Sequence, residues 1–114
     1  ESTAVIDFVK VQPPQYHATL YAILKSCGAR QQSVFTGEIY EHYQEVCKTS
    51  GLRPLTQRRV SDIIQEFDLL GLIQSKVISK GRYGRTREIG LSLPAQTVQQ
   101  VHTIVTEGLS LPNA

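Results

Sequence analysis

The sequence predicts a mostly α-helical domain that carries one β-hairpin, and three observations predict it. Apolar residues recur at the three-to-four-residue spacing of an amphipathic helix in four separate stretches. Between the third and fourth of these lie "LIQSKVIS" (72–79) and "REIGLSL" (87–93), two β-rich runs flanking a turn rich in Gly and Arg. Glycine or proline punctuates the junctions between them. The 114-residue length and 40% apolar content suit one modest core.

Residues 1–12 read as a linker or the tail of an upstream helix, stopped at Gln12-Pro13-Pro14. Residues 13–108 read as the domain and 109–114 as a fraying tail. Pro14 suits the first turn of a helix, and Tyr16, Leu20, Ile23, Leu24 and Cys27 form its stripe, with Gly28 just past its end. "QQSVF" (31–35) reads as a short edge strand. Thr36 is the expected N-cap of the second helix, whose stripe is Ile39, Tyr40, Tyr43, Val46 and Cys47 and whose stop is Gly51. After the turn "LRP" (52–54), Thr56 is the expected cap of the third helix. Val60, Ile63, Ile64 and Phe67 line its buried side, extended by Leu70 and closed by Gly71; Arg58, Ser61, Asp62 and Gln65 share the opposite side, with Arg59 on the flank. In the hairpin, Ile89, Leu91 and Leu93 point inward. Pro94 opens the last helix, with Val98, Val101, Ile104 and Val105 apolar and Gly108 at its end. Two helices joined by a short turn and followed at once by a hairpin make a winged helix-turn-helix.

The net charge of +2 hides a strong segregation. Residues 48–87 hold nine basic and three acidic side chains, a net of +6; the rest hold three basic and seven acidic, a net of −4. A field of one sign on one segment points to a polyanionic partner. In a helix-turn-helix the second helix enters the major groove N-terminus first, which puts Thr56, Gln57, Arg58 and Arg59 nearest the bases. Arg58 has the geometry to pair with guanine, and Gln57 or Gln65 with adenine; Asp62 would repel phosphate but accept from cytosine or orient Arg58. From Lys76 to Arg87 the hairpin holds five cations and no acid. Its glycines allow close backbone approach, and arginine favours the strongly negative potential of a narrow minor groove.

Other chemistry finds little support. Cys27 and Cys47 read as small core residues, and His17, His42 and His102 stand singly, so no zinc cluster forms. There is no G-x-x-x-x-G-K-[ST] loop and no G-x-S-x-G elbow, so the chain reads as a non-enzyme without a cofactor of its own. No apolar run approaches the roughly 18 residues of a membrane span, and no signal peptide is evident, so a cytoplasmic location is expected.

"PLTQRRVSDIIQEFDLLGLI" followed by "SKGRYGRTREIGLSL" resembles the C-terminal winged-helix domain of archaeal replication initiators, the relatives of the origin recognition complex and the cell-division-control loader. "TGEIYEHYQEVCKTSG" resembles the second helix of that family. The resemblance covers about residues 13–107. It implies that full-length members carry an AAA+ ATPase module, binding ATP and magnesium, ahead of this domain; the absent phosphate loop and the non-Met start fit an isolated C-terminal piece. It implies binding to double-stranded origin DNA and association with the chromosome. The recognition-helix role would fall to Thr56, Gln57, Arg58, Arg59, Ser61 and Gln65. The wing role would fall to Lys80, Gly81, Arg82, Tyr83, Gly84, Arg85, Thr86 and Arg87. Two other readings compete. One is a winged helix that docks on the replicative helicase or on the initiator's own ATPase domain through its acidic helices. The other is a transcription regulator that dimerises through Val98, Val101 and Val105.

Overall fold

A computed structural model describes residues 2–28, 34–79 and 85–111; for residues 2, 3, 28, 77–79, 85 and 86 it describes the backbone alone. Five helices and three strands follow in the order α1 (Ser2–Lys10), α2 (Pro14–Gly28), β1 (Val34–Phe35), α3 (Thr36–Ser50), α4 (Gln57–Leu69), β2 (Ile73–Ser79), β3 (Arg85–Leu91) and α5 (Ala95–Gly108). The expected order of helix, short strand, helix pair, hairpin and helix is therefore present.

The central element is α2. Ala18, Leu20, Ala22 and Ile23 are all at most 1% exposed, because α3, α5, α4 and β3 pack around it. A helix covered on most sides shows only a weak one-sided stripe. Tyr43 and Ile39 of α3, Val60, Ile64 and Phe67 of α4, Ile89 of β3, and Val101 and Val105 of α5 close the same core. Each such side chain contributes roughly 1.5–3 kcal/mol by leaving water.

The sheet has the order β1-β3-β2, antiparallel throughout, with β3 in the middle. Ile73 pairs with Leu91 and the ladder runs without a bulge to Ser79 opposite Arg85. On its other edge β3 takes Val34 opposite Ile89, which is the short strand expected near residue 35.

The ends of the helix pair follow from two glycines. Gly51 (φ +76°) caps α3 and donates its N–H to the Cys47 carbonyl, and Gly71 (φ +82°) lets Leu72 N–H return to the Phe67 carbonyl at 3.0 Å. Both lie in the left-handed region that a side chain would strain. Gly28 differs from expectation, being the last helical residue and not a residue beyond the end, whereas Gly108 ends α5 as expected.

Three further differences have clear causes. Residues 2–10 are helical and join this domain's core: Val9 is 1% exposed, Phe8 meets Phe67 edge-on at 6.4 Å, and the buried His17 imidazole bonds the Val9 carbonyl through Nε2 at 2.7 Å. At the other end Leu109 is buried too, so the packed unit extends past residue 108. Thr36 does not cap α3. Phe35 occupies the cap position and has no side-chain oxygen to offer, while Thr36, already helical, donates its hydroxyl to the Arg87 carbonyl on β3 at 3.3 Å.

Candidate nucleic-acid interface

Helix α4 is set by its first residues. Thr56 is extended (φ −67°, ψ 160°) and its Oγ1 accepts the Arg59 N–H at 3.3 Å, while its carbonyl takes the Val60 N–H at 3.0 Å. The cap is the one expected. Burying Val60, Ile63, Ile64 and Phe67 leaves Gln57, Arg58, Arg59, Asp62 and Gln65 exposed and Ser61 half-buried. At the far end, Tyr16 Oη donates to Glu66 Oε2 at 2.7 Å and Ser75 Oγ to Asp68 Oδ2 at 2.7 Å. These two bonds tie α4 to α2 and β2. The Glu66 carboxylate pushes the Tyr16 phenol pKa up, with the Arg59 charge acting the other way.

The exposed face of α4 forms one wall of an open groove of about 570 Å³. Gln57, Arg58, Ser61, Asp62 and Gln65 line it from α4; Thr36 and Gly37 line it from the first turn of α3, and Arg87 from β3. Two arginines thus face it against one carboxylate. The first turn of α3 adds the positive end of the helix dipole, with Phe35 at its cap contributing no side-chain bond. The arrangement suits an anionic, extended ligand lying across α4 and the start of α3.

Arg87 is on the helix-facing side of β3, two residues from buried Ile89, whereas Glu88 lies opposite Lys76 and points the other way. Among the described residues no carboxylate comes within ion-pair distance of Arg87, nor does Asp62 pair with Arg58. Arg87 is therefore turned to the groove and not to its neighbour. Arg85 and Thr86 belong to β3 by backbone, and Lys80, Gly81, Arg82, Tyr83 and Gly84 lie outside the described residues. Thr36 and Gly37, at the groove, were not anticipated, since their place there depends on β3 folding against α3.

The remaining titratable groups do not form a second site. Both cysteines are buried and neither forms a disulfide, and burial pushes the Cys47 thiol up, away from the reactive thiolate. Among the described residues there is no group of three His, Cys, Asp or Glu side chains that could hold a metal. No described helix is long and apolar enough to cross a membrane. Of the three valines on which a dimer face was expected, Val101 and Val105 are buried in the domain's own core and Val98 is half-buried against it.

A helix-turn-helix pair followed by a hairpin on a three-stranded sheet defines the winged-helix class of domain. Comparison with known proteins then places the chain more narrowly. Residues 7–101 match the family described as "CDC6, C terminal winged helix domain". ORC1-type DNA replication protein 1 of Methanosarcina acetivorans is 43% identical over 103 residues, covering 89% of this chain and 25% of that protein. The ORC1-type DNA replication protein of Pyrococcus abyssi is 44% identical over 101 residues, covering 89% and 24%. Among solved structures, the Aeropyrum pernix ORC1 protein in complex with DNA superposes with a TM-score of 0.81 at 38% identity, over 94% of this chain and 27% of that one. The chain belongs to the family of C-terminal winged-helix domains of ORC1- and CDC6-type replication initiators. It spans about a quarter of the length of the relatives it matches.

Proposed function

We propose that this domain binds double-stranded origin DNA, with α4 in the major groove and the β2–β3 wing along the adjacent minor groove. The observation that carries the reading is the groove where Arg58 and Arg87, from two different elements, face one space without an acidic partner within ion-pair reach among the described residues. The relative solved in complex with DNA supports it. Thr56, Gln57, Arg58, Arg59, Ser61 and Gln65 form the major-groove side. Lys80, Gly81, Arg82, Tyr83, Gly84, Arg85, Thr86 and Arg87 form the wing. In this reading most contacts go to phosphate and groove shape, and few to base edges. The chain is the DNA-binding part of a longer initiator. With no phosphate-binding loop in its 114 residues, it supplies none of the ATP chemistry. The test is a footprint on duplex DNA from the host's origin at two salt concentrations. Protection that is lost at the higher salt is expected; protection equal on origin and unrelated duplex would overturn the origin reading.

A second reading, docking on the helicase or on the initiator's ATPase part, is favoured by a separate observation. Leu69 and Leu70, at the end of α4 remote from Thr56, are 80% and 51% exposed, and Val11 is 77% exposed. Large apolar side chains left in water at the end of α4 away from the groove suit protein contact. Leu69→Ser should then weaken co-purification with those partners and leave duplex binding unchanged.

A further inference from the structure

The turn that delivers α4 to its groove is held almost entirely by side chains. Residues 52–56 are irregular, and Pro54 has no N–H to give. Three groups of this turn are nonetheless satisfied. The Arg53 carbonyl accepts from Gln15 Nε2 at 2.9 Å, the Leu55 N–H donates to Tyr43 Oη at 2.8 Å, and the Leu55 carbonyl accepts from Tyr40 Oη at 2.8 Å. Tyr43 Oη in turn donates to Gln15 Oε1 at 2.6 Å, which closes the network. The two rings stack at 5.7 Å and 26°, and Tyr43 is 0% exposed.

The geometry has a direction. Gln15 comes from α2 and both tyrosines from α3, the rigid centre of the domain, and all three bonds end within three residues of Thr56. Thr56 caps α4, and Gln57, Arg58 and Arg59 follow it immediately. Whatever fixes Leu55 therefore fixes where the first turn of α4 stands relative to α3 and Arg87. A buried tyrosine in a core stripe needs a partner for its hydroxyl; here that need is met by the one segment whose position governs the groove. The phenol acts as donor and acceptor at once, which requires it neutral, and burial pushes the Tyr43 pKa up to about 12.

We infer that Tyr43, supported by Tyr40 and Gln15, is a positioning residue for DNA recognition: it clamps Leu55 so that the first turn of α4 presents Arg58 at a fixed height to the duplex. The proposal rests on the DNA-binding reading above. It assigns to two tyrosines that touch no ligand a share of affinity that passes through Arg58.

Tyr43→Phe tests it, because the ring and its stacking stay while the hydroxyl goes. Two measurements are needed on the intact domain. In the free protein, amides 56–60 should exchange with solvent faster in Tyr43→Phe, with α2 and α5 unchanged. On an origin duplex, Tyr43→Phe should weaken binding at least about fivefold, the lower end of what one specific contact contributes. In an Arg58→Ala background the same change should cost less than about twofold, and in an Arg82→Ala background it should cost its full factor, as independent sites do. Unchanged exchange over 56–60 overturns the clamp. An equal loss in all three backgrounds also overturns it, since that marks general destabilisation. If Arg58→Ala itself leaves duplex binding unchanged, the α4 reading has failed and the proposal falls with it, and the exchange result then shows whether the clamp alone was sound.

Discussion

Gly108 sits where a Cβ would lie 2.3 Å from His17 Nδ1 and 2.7 Å from Cε1. The imidazole cannot swing away cheaply, for it is 6% exposed and its Nε2 holds the Val9 carbonyl at 2.7 Å. Gly108→Ala should therefore destabilise the domain by about 1–3 kcal/mol in urea unfolding, in spite of the better helix propensity of alanine. Duplex affinity at a temperature where the variant is folded should not change. Thr56→Ala is the counterpart at the groove: loss of the cap on Arg59 should cost about 1 kcal/mol of stability, and here duplex binding should weaken too. Tyr43 makes a pH prediction. Its folded-state pKa, about 12, lies above the ordinary 10.0, so between those values the unfolded chain has released a proton that the folded chain retains. The stability it contributes is complete below pH 10 and is lost as pH rises through about 12. Tyr43→Phe should show a shallower loss of stability in that window when followed by urea unfolding at stepped pH.

At the scale of elements, α4 and the hairpin were the most legible parts of the sequence. Val60, Ile63, Ile64 and Phe67 keep strict helical spacing, Thr56 is a strong cap, and Gly71 stands where the chain must turn with positive φ; nothing distant had to be known. Ile89 and Leu91 alternate as a half-buried strand does. The readings that failed needed tertiary information. Thr36 looks like a cap in one dimension, yet the β3 carbonyl of Arg87, 51 residues away, takes its hydroxyl. Residues 2–10 are helical, one of the two readings open for them, and only their docking was hidden, since Val9 and Phe8 find partners on α2 and α4. Of the groove's second wall only Arg87 was expected; Thr36 and Gly37 were hidden for the same reason, since they meet Arg87 only after the sheet forms. The tyrosines carried a signal that the apolar pattern hid: each has a hydroxyl that a core position must satisfy. At this scale Arg58→Ala should reduce the dependence of log affinity on log salt by about 0.9 if its contact is to phosphate. If Arg58 reads a base instead, the change should relax sequence preference and leave the slope nearly intact. Titrations on origin and scrambled duplexes at several salt concentrations separate the two.

Across the whole molecule, charge and architecture divide the labour. Most of the net +6 of residues 48–87 falls on residues 73–87, which hold five cations and no acid, whereas α4 sets Arg58 and Arg59 against Asp62, Glu66 and Asp68 for a net of −1; the other acids lie largely on the remaining helices. The fold brings α4, the start of α3 and β3 to one groove, and it leaves Leu69, Leu70 and Val11 exposed in water at other positions. A domain that makes up about a quarter of its relatives' length can thus offer a DNA face and separate apolar side chains for protein contact. One face, built from α4 and the wing together, is proposed to bind duplex DNA. That proposal is tested most directly by the salt dependence of binding to an origin duplex for the wild type, Arg58→Ala, the Arg82→Ala/Arg85→Ala pair and the triple variant. Weaker binding is expected for each, with a shallower slope for the Arg82→Ala/Arg85→Ala pair and for the triple variant, which should retain only weak binding. Wild-type affinity and slope in the triple variant would contradict it.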